Sequence, residues 1–488
     1  MAGPTRRAGA DRMTALDAAF YHLERTGQLL HIGGVYVVEG ALDFARLLAD
    51  VESRLHLVPR YTQRAVPVPF NLANPTWEPD PRFDLRSHVV RHVLRAPGDD
   101  RQLASLVGRL FAQPLDRNRP LWELHQIDGY GDGRSVLFAK VHHCMVDGVS
   151  GVELLGLLFD ASPRPTPVPP PEAAAPVPPL PSPAAQALRA VAEAPVALGT
   201  RVHALAHLLR RPEQALAELT LSAAALREAA WLVLTGKPAT PFNGHVSVLR
   251  RVLWVTFPLS GVKGIKDRLG GTVNDVVLTI ITAALRAYLE DRGINPDRVE
   301  LRALCPVSTR LPAERSALGN RLSALLVPLP VGIFDPLERL RQVRAATAQL
   351  KRAGAARTMA RVLELASLLP PLLQRPLGWL QTLTVPFNTI CTNVPGPPVS
   401  LYTQGKRLEV LVPIVPLAQG VGLAFAILSY ADTLTIGVTI DPALVRAYDE
   451  IPRLLRAAYE ELRGLAGVEL PEARPPTAAR RPRPIRVA

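Results

Sequence analysis

From Ser135 to Asp160 the chain reads SVLFAKVHHCMVDGVSGVELLGLLFD, and no other stretch constrains the fold so tightly. Val136 to Val141 is an apolar run interrupted only by Lys140, the pattern of a buried strand. Two adjacent histidines follow, then Asp147-Gly148, then Ser150 with Glu153 at capping-box spacing. Val152, Leu154, Leu155, Leu158 and Phe159 supply the apolar face of the helix so begun. Side chains on a strand alternate faces, so only one of His142 and His143 can point into a given cleft while both lie on it. Gly148 gives the backbone freedom to turn, and Asp147 is near enough in sequence to fold back and fix its surroundings. A site built this way is held by rigid elements.

Upstream, strands and helices alternate. Thr14 and Asp17 predict a capped helix to about Thr26, His31–Glu39 a strand, and Leu42–Leu57 an amphipathic helix. Pro59–Pro81, rich in proline, reads as an extended surface connection. A strand over Ser87–Val93 and a helix over Asp100–Phe111 come next. Leu124–Gly129 and Ser135–Val141 form a hairpin. His88, His92 and His125 lie in strand-like stretches and read as packed or surface residues, not ligands. An α/β domain ending near Asp160 follows from this alternation.

Composition then changes. Pro163–Pro183 holds eleven prolines and reads as a semi-rigid tether. Ala184–Leu234 resumes as helices broken near Pro195 and Pro212, crossing towards a second domain. There, Arg250–Phe257 is a strand and Ser260–Leu269 a helix. A longer helix has Thr272 or Asn274 as its cap and Asp275 in the first turn, where the helix field favours a carboxylate. Arg310 lies just past the strand-like Leu301–Pro306, a suitable place to brace a cleft. Leu322–Leu329 is a strand and Pro336–Arg352 a helix. Ala360–Leu383 is too interrupted to span a bilayer and reads as a buried helical pair or an interfacial segment. Asn388–Val394 is a strand ending at the turn Pro395-Gly396-Pro397. Gly422–Tyr430 and Leu434–Thr439 form a hairpin, and Asp441-Pro442 opens the last helices. The expected units are residues 1–160, a linker with crossover helices at 161–239, a second domain at 240–470 and a disordered basic tail at 471–488.

Fifty-six basic residues against 43 acidic ones leave a net charge of +13, which favours anionic partners. Aromatic residues are only 5%, and no zinc-finger, recognition-helix or RNA-binding sheet pattern is present, so nucleic acid is set aside in favour of anionic lipid or a phosphate-bearing ligand. Cys144, Cys305 and Cys391 form no CxxC pair, as expected of a reducing cytoplasm. The polar amino terminus lacks a signal-peptide core, and no run of 18 apolar residues marks a span. Peripheral contact with an anionic membrane or lipid-droplet surface stays open.

Chemically, a histidine that is neutral near pH 7 can act as a general base and take a proton from an attacking hydroxyl. There is no GxSxG elbow, and adjacency to His143 does not make Cys144 an effective nucleophile. Two consecutive histidines on a strand rarely chelate one ion, and no third ligand has the usual spacing, so neither metal nor cofactor is expected.

His142-His143-Cys144-Met145-Val146-Asp147-Gly148 matches the HHxxxDG motif of acyltransferases with the chloramphenicol acetyltransferase-like fold, a superfamily that includes peptide-synthetase condensation domains. Together with the PLDRNRPLWE stretch (Pro114–Glu123), Asn274-Asp275 and Asn393-Val394-Pro395-Gly396-Pro397, it resembles the bacterial bifunctional wax ester synthase/diacylglycerol acyltransferase family, from about Met13 to Leu465. The resemblance implies two α/β (α+β) domains, each a mixed sheet with flanking helices, and an active site at their interface. It implies acyl-CoA as donor and diacylglycerol or a long-chain alcohol as acceptor. His143 would be the base, with His142, Asp147, Gly148, Asn274, Asp275 and Arg310 supporting it, Arg310 being the candidate salt-bridge partner of Asp147. Pro120, Leu121, Trp122, Asn393, Pro395 and Gly396 would be structural. Cys144-Met145 departs from the small or aliphatic residues usual there, which bears on chain preference. A natural-product acyltransferase with a carrier-protein donor, or an inactive lipid-binding protein, are the other readings.

Overall fold

The computed structural model describes residues 11–24, 28–145, 155–165, 168–169, 177–209, 240–308, 322–352 and 386–469. In chain order its elements are β1 (Asp11–Arg12), α1 (Ala15–Leu23), β2 (His31–Val38), α2 (Phe44–Arg54), β3 (Gln63–Val66), β4 (Thr76–Pro79), β5 (Val89–Val93), α3 (Asp100–Phe111), β6 (Trp122–Tyr130), β7 (Arg134–His142) and α4 (Pro183–Leu209). After these come β8 (Arg251–Pro258), α5 (Leu259–Leu269), α6 (Val273–Glu290), β9 (Leu301–Ser308), β10 (Leu322–Leu329), α7 (Pro336–Arg352), β11 (Thr389–Pro395), β12 (Tyr402–Thr403), β13 (Lys406–Ile414), β14 (Leu423–Tyr430), β15 (Thr433–Ile440) and α8 (Ile451–Leu465).

Two six-stranded mixed sheets dominate. The first has the order β12-β13-β2-β7-β6-β5, antiparallel except for the β5–β6 pair. The second has the order β10-β9-β11-β14-β15-β8, with β11 parallel to both β9 and β14. Each covers its core with helices. In the second, α6 buries Val276, Val277, Ile280, Ile281, Leu285, Tyr288 and Leu289 at helical spacing, about 1.5–3 kcal/mol for each large apolar side chain removed from water. Helix α3 starts at a complete Asp99–Gln102 capping box and lays Leu103, Val107, Leu110 and Phe111 on Val35, Val136 and Phe138 of the first sheet and Val252 of β8.

Four expectations are corrected. Tyr402–Ile414, expected within the second domain, pairs instead with the first sheet through β13 and β2. Strand β13 is buried there on both faces, Leu408 and Leu411 in one core and Val412 and Ile414 in another, a long-range pairing with no local signature. Pro59–Pro81 is not a bare connection, since β3 and β4 join β1 in a three-stranded sheet closed over Tyr61 and Trp77. Its prolines fall at strand ends and turns, where no ladder N–H is missed. Helix α4 runs through Pro195, which lies exposed, so water can satisfy the carbonyl it frees. Asp441-Pro442 opens turns before α8, because buried Asp441 accepts from Ser247 N and Oγ and from Ala443 N.

Among the described residues no single helix is long and apolar enough to cross a membrane. Helices α5 and α6 pass that test only as a pair bent by 99°, and α6 is the core helix of the second sheet.

Candidate active site

The Pro120-Leu121-Trp122 word holds the histidine motif in register. Trp122 stands opposite Val141, and the Leu121 carbonyl accepts the His142 backbone N–H at 2.9 Å. Leu121 is fully buried, while the buried Trp122 indole donates to the Tyr61 carbonyl at 2.8 Å and stacks on His88.

Strand β7 ends at His142 and the chain turns at His143, which separates the two side chains. His142 is fully buried. Its Nδ1 accepts the Cys144 N–H at 3.1 Å, and its Nε2 lies 3.1 Å from Glu24 Oε2. Glu24 also accepts the Leu30 N–H at 2.9 Å and faces Arg117 at 3.4 Å. Burial pushes the Glu24 carboxyl up, but His142, the Leu30 N–H and Arg117 outweigh it and hold its pKa at about 2. Arg117 donates to the Tyr21 carbonyl and lies over the Tyr21 ring. The end of α1 is thereby fastened to the motif.

His143 keeps partial exposure. Its backbone N–H donates to Leu30 O at 2.8 Å, and its ring stacks on Phe20 with centroids 4.0 Å apart. Burial, aided by His142, lowers its pKa to about 4, so it is neutral at pH 7. Its Nδ1 has no hydrogen-bond partner among the described residues. Burial pushes the neighbouring Cys144 thiol well above its ordinary range, with Asp17 and Glu24 adding to the effect, so at pH 7 it is no thiolate nucleophile.

In the second half, Thr272 is the cap of α6 and forms a reciprocal capping box with Asp275. Asp275 is buried, accepting from Thr272 N and Oγ1 and from Thr347 Oγ1, all at 2.8 Å. Asn274 Oδ1 accepts from Asn393 Nδ2 at 3.2 Å, which brings two of the recognised words together. Pro395 ends β11, and Gly396 donates to Ser429 O at 2.9 Å. A Cβ on Gly396 would stand 2.3 Å from that oxygen, so only glycine fits. Beside α6 an open cleft of about 500 Å³ is lined by Arg341, Arg344 and Lys351 with Thr272 and Asp275. Asp147, Gly148 and Arg310 lie outside the described residues, as do the whole of Ala360–Leu383 and the basic tail. Among the described residues no three His, Cys, Asp or Glu side chains gather to hold a metal ion.

Sequence reasoning missed Glu24, Phe20 and Arg117. Arg117 stood inside a recognised word, but Glu24 and Phe20 carry no local signal, since their importance comes from α1 packing on the turn at His143.

Acid stability should report the buried imidazoles. Burial lowers the pKa of His31 to about 3, with Lys140 adding to it, and that of His143 to about 4. Between about pH 6.5 and 4 the unfolded chain therefore binds protons that the native state refuses, and stability falls as pH falls. Each histidine should contribute a slope approaching 1.4 kcal/mol per pH unit well below pH 6.5. Denaturant titrations from pH 8 to 5 should be flat at the top and decline below about 6.5. A curve flat to pH 5 would show the imidazoles to be solvated.

The architecture recurs in solved structures. The first condensation domain of the calcium-dependent antibiotic synthetase is similar with a TM-score of 0.60 at 15% identity, covering 94% of this chain and 97% of that one, which shows a shared fold. A wax ester synthase/diacylglycerol acyltransferase from Marinobacter aquaeolei VT8 is similar with a TM-score of 0.68 at 25% identity, covering 94% of this chain and all of that one. Residues 13–277 match the wax ester synthase/diacylglycerol acyltransferase catalytic domain, and 318–463 the C-terminal domain of that family. A Mycobacterium tuberculosis H37Rv protein described as "Probable diacyglycerol O-acyltransferase tgs1" is 35% identical over 457 residues, 93% of this chain and 96% of its own. The chain belongs to the wax ester synthase/diacylglycerol acyltransferase family, and it is an O-acyltransferase.

Proposed function

We propose that this enzyme transfers a fatty acyl group from acyl-CoA to the hydroxyl of diacylglycerol or of a long-chain alcohol, with His143 as the general base. The observation that carries this is the neutral, partly exposed His143 imidazole at a strand end, held in place by Phe20 and Leu30. His143 takes the acceptor's proton as its oxygen bonds to the thioester carbon. The C–S bond then breaks, and the departing sulfur recovers that proton as coenzyme A. No acyl-enzyme is needed, in keeping with the neutral Cys144 thiol. His142, beside Glu24, would position the turn; Asp147, Gly148 and Arg310 would brace it, and Asn274 and Asn393 would support the facing side. Arg341, Arg344 and Lys351 offer a charge suited to the phosphates of coenzyme A.

Purified protein with labelled palmitoyl-CoA and each acceptor should yield triacylglycerol or wax ester. Product only from an acyl carrier protein donor would transfer the enzyme to condensation-type chemistry. Donor binding without ester would make it a lipid-binding protein. Contact with the cytoplasmic membrane face or lipid inclusions would be peripheral, aided by the net charge of +13. The protein should float with anionic vesicles at low salt and partly release at about 0.5 M salt, where screening removes the charge component but not apolar insertion. Failure to float with either neutral or anionic vesicles would exclude the contact.

A further inference from the structure

We infer that the protein meets lipid through one face, formed by the Pro69–Leu72 turn and the outward side of α4. The inference rests on the proposed lipid acceptor and adds where such a surface would dock. Phe70 and Asn71 both hold left-handed backbone, with φ of 55° and 54°, a conformation that non-glycine residues adopt at a cost in strain. The strained turn displays Phe70 at 83% exposure with Leu72 beside it, while Val68 roots it in the interior. In water that exposure gains nothing, whereas an acyl layer would take up the ring.

Helix α4 packs against this turn with Ala190 and Gln186 inward. Gln186, 1% exposed, donates inward to Thr76 Oγ1 at 2.9 Å. Arg189 reaches Glu78 at 3.5 Å, and Glu193 accepts from Arg12 at 2.6 Å. The polar residues thus fasten the helix to the three-stranded sheet, while Leu188 (73% exposed) and Val191 (59%) face out with Ala184 and Ala192 around them. An ordinary surface helix turns its large apolar side chains inward, and here Leu188 and Val191 are left out. A lipid surface is favoured over a second copy for two reasons. Chains of net charge +13 repel each other and are drawn to anionic phospholipid, and exposed Arg189 sits at the rim. A single aromatic on a tight turn also enters a penetrable layer freely but would need a matching socket in a protein.

Phe70→Trp tests insertion directly. With phosphatidylglycerol vesicles its emission should shift to the blue and be quenched by brominated acyl chains, against the background of the wild-type tryptophans. Phe70→Ser with Leu188→Ser, both exposed, should leave the melting temperature and turnover of a water-soluble alcohol unchanged. Flotation, and turnover of vesicle-borne diacylglycerol, should fall about tenfold or more, because two apolar side chains no longer partition. Unchanged flotation and no added shift would overturn the inference. So would sedimentation showing that the double variant breaks a dimer while vesicle binding persists. Absence of ester with either acceptor would instead indict the catalytic reading, leaving flotation and quenching still to report on docking.

Discussion

His143→Ala should lower turnover by about 10²–10⁴-fold with the melting temperature nearly unchanged, because the side chain moves a proton and is only partly buried. His142→Ala should behave differently. It removes the acceptor of the Cys144 N–H and the partner of Glu24, so its loss falls on stability as well as rate. Steady-state rates and thermal melts of both variants separate the roles. Equal, small losses of rate for the two would contradict the assignment of the base.

Glu123→Ala should destabilise the fold by about 3 kcal/mol or more. Lys140 is fully buried, and its ammonium bonds to Glu123 at 2.7 Å and to the Leu110 and Gln113 carbonyls at 3.1 Å each. Burial raises the Glu123 carboxyl, but the His125 hydrogen bond and the Lys140 charge override it and hold its pKa at about 2. Burial conversely lowers the Lys140 pKa, with Glu123 opposing it. Deleting the carboxylate leaves a buried cation with carbonyls alone. Adding Lys140→Met should recover much of the loss, since an apolar pair of similar volume often costs little. Denaturant unfolding of the single and double variants measures this. A single-variant loss below about 1 kcal/mol would mean that water reaches the pair.

That pair also shows how far the sequence was legible. Lys140 was visible as the one charge in an apolar strand, but Glu123 became its partner only through the register that sets the two residues opposite each other across β6 and β7. Elements with strong local patterning were readable: α3 over Asp100–Phe111, the β14–β15 hairpin and the capped start of α6. Features made by distant pairing were not. The insertion of β13 beside β2, the small sheet over Trp77 and the Glu24–His142 contact each join segments whose local residues suit several environments. At the site, the histidines and the Asn-Asp word were legible as motifs, while the contact of His142 Nδ1 with the Cys144 N–H appeared only in the fold.

The most direct test of direct, His143-dependent transfer is a quenched single turnover with enzyme in excess over labelled palmitoyl-CoA. Without acceptor the label should remain in the thioester and none should become bound to protein. With dioleoylglycerol or hexadecanol it should pass into triacylglycerol or wax ester, and His143→Ala should slow that step. Label fixed covalently on the protein, or no ester with either acceptor, would contradict it.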